Sequence, residues 1–231
     1  MRRLALIPAR GGSKRLPRKN IKPFAARPMI EWTLDAARAS NLFTDIVVST
    51  DDEETVGIAK SAKVDVLERG DDISNDAATL FQVIKHALVS GYGADEICLL
   101  LANCPLRTAE DIEAGYTAFK ATDAPATLSV TSFSWTPPFR ALTREPDGRI
   151  LHVFGDWIGK KSQEYPEVVC PSGAVYWVKL KALEGASDLY VDGITGFDMP
   201  WHRAIDIDTA EDFALAACIK HSIDNGFTFE A

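Results

Sequence analysis

Leu4-Ala5-Leu6-Ile7-Pro8-Ala9-Arg10-Gly11-Gly12-Ser13-Lys14-Arg15-Leu16-Pro17-Arg18-Lys19-Asn20 decides the architecture of this 231-residue chain. The four apolar residues read as a buried strand, and Pro8, with no N–H to give a ladder, ends it. A loop follows with two adjacent glycines and five cations: Arg10, Lys14, Arg15, Arg18 and Lys19. Residues 28–40 then read as a helix, with Met29, Ile30, Leu34 and Ala37 on one side. A loop between strand and helix turns backbone N–H groups toward phosphate oxygens, and neighbouring Lys and Arg neutralise the charge. The stretch therefore predicts a nucleoside triphosphate site at the end of a first strand.

The charge distribution supports a small anionic ligand. Nine of the 25 Lys and Arg fall in the first 30 residues, which hold no Asp or Glu, although the whole chain has a net charge of −8. One basic loop on an acidic body disfavours nucleic acid, which asks for a broad basic face. Cys98, Cys104, Cys170 and Cys218 lack C-x-x-C spacing and the four His form no ligand pattern, so zinc and a disulfide framework are disfavoured. A transit peptide is disfavoured by Pro8, Gly11, Gly12 and Pro17, and no apolar run approaches the ~20 residues that span a bilayer. The expected setting is a reducing cytoplasm, with no membrane partner.

Working outward, residues 4–7, 45–50, 64–67, 97–101 and 126–130 read as strands separated by helix-length segments. Such alternation predicts an α/β fold with a mostly parallel sheet covered on both faces. The rhythm breaks at 133–169, which reads as a projecting β-hairpin around the turn signal Pro146-Asp147-Gly148. Strand character returns at 173–178 and 203–207, and a helix over 210–223 follows. The expected organisation is an α/β domain from 1–132 and 170–231 with an insertion at 133–169. Ligands of open parallel sheets sit beyond the carboxyl ends of the strands, which places 8–20, 50–54, 102–107 and the corner at 206–208 along one edge.

The basic loop is neither G-x-x-x-x-G-K-[ST] nor G-x-G-x-x-G, so neither a P-loop nor a dinucleotide fingerprint is present. In Asp206-Ile207-Asp208-Thr209, a strand would turn both carboxylates to one side. Two such acids suit a hard cation, Mg²⁺ shared with phosphate oxygens. The same residues also suit a plain helix N-terminus, with Asp208 or Thr209 as cap.

These residues together resemble the acylneuraminate cytidylyltransferases, which activate nonulosonic acids with CTP. The signature at 7–20 is followed in order by Val48-Ser49-Thr50-Asp51-Asp52, Cys104-Pro105-Leu106-Arg107 and Asp206-Ile207-Asp208-Thr209. The resemblance implies a Rossmann-like fold of the nucleotide-diphospho-sugar transferase type, usually a homodimer whose projecting hairpin caps the neighbour's site. It implies attack by the sugar's anomeric hydroxyl on the α-phosphate of CTP, giving a CMP-sugar and pyrophosphate. Pro8, Ala9, Arg10, Gly11, Ser13 and Lys19 would then hold the nucleotide, with Asn20, Arg69 and Asp76 also against it. Arg10, Lys19 and Asp208 would carry catalysis, and Asp206 and Asp208 the Mg²⁺.

The sugar half departs from the sialic pattern. Where sialic-acid enzymes tend to read L-Q-P-T-S-P-L-R, this chain has Leu100-Leu101-Ala102-Asn103-Cys104-Pro105-Leu106-Arg107. Ser162-Gln163, the acids at 51–52 and Trp201-His202-Arg203 look closer to the pseudaminic acid branch. Asn103, Arg107, Arg140 and Gln163 are the candidate sugar contacts, with Arg107 and Arg140 the cations that the substrate's carboxylate calls for. Lys160 or Lys161 would reach over from a partner chain. Trp135, Phe139, Phe154 and Trp157 are expected to bury a dimer interface. The leading expectation is a pseudaminic acid cytidylyltransferase serving cell-surface glycan synthesis. The same reaction on sialic, legionaminic or an eight-carbon acid, a sugar-1-phosphate nucleotidylyltransferase and a non-catalytic nucleotide sensor stand as alternatives.

Overall fold

The computed structural model describes residues 1–133 and 137–229. Its strands are β1 (Arg3–Pro8), β2 (Pro23–Phe24), β3 (Arg27–Pro28), β4 (Asp45–Thr50), β5 (Asp65–Glu68), β6 (Glu96–Leu99), β7 (Ala126–Ser132), β8 (Leu142–Arg144), β9 (Ile150–His152), β10 (Val169–Lys179) and β11 (Thr195–Asp198). The helices are α1 (Met29–Ala39), α2 (Glu53–Ser61), α3 (Leu80–Val89), α4 (Ala109–Ala121) and α5 (Ala210–Asp224). Seven strands make one sheet in the order β11-β7-β10-β6-β1-β4-β5. All neighbours run parallel except β10, which is antiparallel to β6 and β7.

The core follows from the period of two along β1. Ala5 and Ile7 face one side, against Ile30 and Leu34 of α1 and Ile112 of α4. Leu4 and Leu6 face the other, against Phe81, Ile84 and Ala87 of α3. A parallel sheet covered this way is apolar on both faces, which is why its strands read as continuous apolar runs rather than alternating ones. A third cluster joins Leu16 of the basic loop, Leu106, Ile207 and α5 residues Ala216 and Ile219. Burying Ile207 and Leu16 together draws a late segment of chain against the first loop.

Two expectations need correction. Residues 203–207 form no strand: Ala204 N–H bonds Pro200 O at 3.1 Å and Ile207 N–H bonds Asn103 O at 3.0 Å, so the stretch is held by loop contacts, not a ladder. The last strand is β11 instead, at one edge of the sheet, where Gly196 permits close approach, since a Cβ there would lie 3.0 Å from Val130 Cγ1. The strand expected at 173–178 begins earlier, at Val169, with a register shift between Pro171 and Tyr176.

β8 and β9 pair as a separate, exposed two-stranded sheet within the expected insertion. Phe139 lies 4.9 Å from Trp157 and 5.1 Å from Tyr165 between ring centroids, and 5.8 Å from Phe154. The expectation for Trp135 falls outside the described residues.

Candidate active site

At the carboxyl ends of β1 and β6 lies a cleft of about 270 Å³. Pro8, Arg10, Ser13, Lys14, Arg15, Lys19 and Asn20 form one wall. Arg69, Asn75, Asp76, Thr79 and Leu80 form the second, and Leu101, Asn103, Asp206 and Asp208 close the end. The amino-terminal cations and the late acid couple thus meet in one cavity, although nearly 190 residues separate them in sequence.

The loop is shaped by its own bonds. Asn20 is buried and its Nδ2 donates to Arg10 O at 3.0 Å, closing the turn. Arg18 takes a left-handed conformation (φ 54°) and swings away, donating to Glu54 Oε2 at 2.7 Å. Gly11 N–H donates to Asp51 Oδ1 at 2.9 Å, and Asp52 Oδ2 accepts from Thr55 N at 2.9 Å to cap α2. The acids at 51–54 therefore brace the loop from behind rather than line the cleft.

Inside the cleft, charge is matched across the gap. Arg10 Nη1 donates to Asp76 Oδ1 at 2.8 Å, and Lys14 pairs with the same carboxylate. Lys14 and Arg10 together hold the Asp76 carboxyl below the ordinary range. Lys19 Nζ donates to Asp208 Oδ1 at 2.6 Å and Arg15 pairs with its other oxygen. Burial opposes ionisation of Asp208, but Lys19 and Arg15 overcome it and keep its pKa low. Asp206 is less well compensated: burial, then repulsion from Asp208, pushes it up to about 6. Arg69 gives Nη1 to Ile73 O at 3.3 Å, while its Nε and Nη2 are buried with no hydrogen-bond partner among the described residues. Arg69 thus lines the cleft with two buried nitrogens unsatisfied, and a small shift of its side chain would be needed to offer them to an acceptor.

The acid couple does not cap α5. Thr209 does, accepting from Asp212 N at 3.2 Å while Asp212 Oδ2 accepts from Thr209 N at 2.8 Å. That leaves both carboxylates free to face the cleft, with Ile207 fully buried behind them. Arg203 forks onto Asp111, Nη2 to Oδ1 at 2.9 Å and Nε to Oδ2 at 3.0 Å, pinning the upstream stretch to α4. β10 passes the couple closely at Gly173: a Cβ there would displace the end of the Leu101 side chain and come within 3.2 Å of Asp206 Oδ2.

Several expected residues lie elsewhere. Ala9 is fully buried beneath the loop, and Gly11 sits in a small recess behind it. Arg107 is buried, giving Nη1 to Leu101 O at 3.3 Å and Ala174 O at 2.5 Å and Nη2 to Thr33 Oγ1 at 2.6 Å. Its charge is committed to the scaffold and does not reach the cleft. Arg140 and Gln163 are exposed, outside the residues that line the cleft, with Arg140 Nη2 donating to Ser162 Oγ at 2.7 Å. Asn75 and Thr79 were not anticipated as cleft residues. The capping box Thr79…Gln82 marks the start of α3 in sequence, but it does not by itself place that start at the cleft.

A family model described as cytidylyltransferase matches residues 4–135, more than half of the chain. The chain belongs to the cytidylyltransferase family. Pseudaminic acid cytidylyltransferase of Campylobacter jejuni is 29% identical over 221 residues, covering 94% of this chain and 95% of that protein. N-acylneuraminate cytidylyltransferase of Streptococcus agalactiae is 30% identical over 92% of this chain, which spans 52% of that longer relative. The fold is shared with CMP:2-keto-3-deoxy-manno-octonic acid synthetase complexed with CTP (TM-score 0.71, 16% identity, 96% of this chain and 100% of the other).

Opening off this cytidylyltransferase's cleft is a second, apolar cavity of about 240 Å³ that shares Leu80 and Leu101 with it. Leu99, Leu128, Tyr176 and Leu189 line it further in. No helix among the described residues is long and apolar enough to cross a membrane.

Proposed function

We propose that this cytidylyltransferase activates a nonulosonic acid with CTP, pseudaminic acid first, releasing pyrophosphate and forming the CMP-sugar. The observation that carries the reading is the single cleft in which Arg10, Lys14, Arg15 and Lys19 face Asp206 and Asp208. A triphosphate placed there would replace Asp76 and Asp208 as the partner of those cations. Arg10 and Lys19 would then oppose the charge that builds on departing pyrophosphate, the stabilisation phosphoryl transfer needs most. Arg69 supplies the unspent donors that a cytosine O2 and N3 would accept from, whereas a uracil N3–H would meet them donor to donor.

Asp206 and Asp208 are the residues that would hold Mg²⁺. Their donors are hard carboxylate oxygens, and the described residues hold no group of three or more metal-ligating side chains. That set fits an ion that keeps waters and takes phosphate oxygens for the rest of its shell. When bound, the ion supplies charge neutralisation and a lowered pKa at the attacking hydroxyl.

The apolar chamber beyond Leu101 suits the deoxy and acyl groups that distinguish nonulosonic acids from simple sugars. The 133–169 element is read as a dimerisation hairpin that brings Arg140, Gln163 and Lys160 or Lys161 to a partner's cleft. Its support is apolar side chains left exposed on a hairpin too small to bury them: Ile150, Leu151, Val153, Phe154 and Ile158. Light scattering on the eluting protein should give twice the chain mass of 25.3 kDa, and a monomer would remove the element from the site.

Pyrophosphate release tests the reaction itself. It is expected with CTP and pseudaminic acid, more weakly with legionaminic and sialic acids, and not with ATP, GTP or UTP. Equal turnover of 2-keto-3-deoxy-manno-octonic acid, which has no acyl group, would take the chamber out of the reading. Release with hexose 1-phosphates instead would replace the function with sugar-1-phosphate nucleotidyl transfer.

A further inference from the structure

We propose that Asn103 is a positioning residue that sets the spacing of the Asp206–Asp208 couple. This inference rests on the reading of that couple as the cation site. Asn103 Nδ2 donates to Asp206 Oδ1, lies 3.0 Å from Ile207 O and stands 3.4 Å from Asp208 Oδ1. One amide nitrogen thus faces an acceptor from each of three consecutive residues. In return, Asn103 O accepts from Ile207 N at 3.0 Å. The acid segment has no sheet partner, so this two-way link replaces the ladder that would otherwise hold it to the end of β6.

Asn103 is itself fixed. It is 5% exposed, and the buried Arg107 fork ties the 101–107 turn to Leu101 O, to Ala174 O of β10 and to Thr33 of α1. Lys19 and Arg15 already hold Asp208, and a rigid donor on Asp206 is what lets the second carboxylate wait beside it before a metal ion arrives. An amide does this while adding no charge. A Lys in its place would compete with the cation, and a Ser or Thr would offer one hydrogen where the amide offers two. Asn103 therefore keeps the couple assembled before the ion arrives, so that binding does not also have to order the loop.

The test compares Asn103→Ala, Asn103→Ser and Asp208→Ala with the unaltered enzyme, using Mn²⁺ titration followed by electron paramagnetic resonance without nucleotide. Asn103→Ala is expected to weaken Mn²⁺ by about 10- to 100-fold, the scale of losing a residue that orients a metal ligand. Asn103→Ser, which keeps one donor, should fall between the two and controls for folding. The KM for the sugar should stay within about twofold while kcat drops, because the lost interaction acts on the reacting site rather than on substrate binding. Unchanged Mn²⁺ affinity in both Asn103 variants, with affinity lost in Asp208→Ala, would overturn this inference alone. So would a raised sugar KM with normal Mn²⁺ binding, which marks Asn103 as a sugar contact. Unchanged affinity in Asp208→Ala would instead sink the cation site on which the inference stands.

Discussion

Asp208→Ala is expected to slow CMP-sugar formation by about a thousandfold or more at saturating substrates, roughly 4 kcal/mol of transition-state stabilisation. Asp208 is where the two clusters of the cleft touch: Lys19 and Arg15 both end on it, and Asp206 lies beside it. Removing it takes away half of the carboxylate pair and frees two cations to bind phosphate in an unproductive pose. The fold should survive, because α5 is capped by Thr209 and Asp212, and Ile207 keeps its buried place. Pyrophosphate release, with circular dichroism and a melting curve on the same sample, separates the two effects. Near-normal turnover in a folded variant would remove Asp208 from the reaction.

Lys19→Glu is expected to abolish measurable CTP binding. Lys19 is the least exposed cation of the loop, at 17%, and its Nζ already sits 2.6 Å from a carboxylate oxygen. Reversing its charge would set a third anion against Asp206 and Asp208 on the floor meant for a triphosphate. A charge-assisted hydrogen bond to phosphate is worth about 1.5–3 kcal/mol, so the neutral companion Lys19→Met should weaken CTP by roughly 10- to 100-fold. Calorimetric titration of CTP into each variant reads both values. CTP affinity unaltered in the Met variant would show that Lys19 serves only Asp208.

Much of the scaffold was legible from periodicity. The strands at 4–7, 45–50, 97–101 and 126–130 are runs of apolar residues bounded by polar turns, and the structure finds β1, β4, β6 and β7 there. The basic loop was legible because its charge is local. The failures share a cause. Residues 203–207 alternate like a strand, yet their hydrogen bonds go to Asn103 and Pro200, partners chosen by tertiary packing. Arg107 reads as a free cation in sequence, but oxygens from its own loop, from β10 and from α1 converge on it and occupy both its Nη groups. Asn75 and Thr79 carry no charge to draw attention, and only the position of α3 beside β1 brings them to the cleft.

Sequence alone determined the alternation of strands and helices, the concentration of cations in the loop after the first strand and the pair of acids at 206 and 208. Those are properties of short stretches, set by the period of side-chain burial and by where like charges are concentrated. The tertiary structure decided which residues meet. Packing Leu16, Leu106 and Ile207 against α5 closes the long interval between loop and acid couple, and the burial of that apolar surface helps bring the two walls of the cleft together.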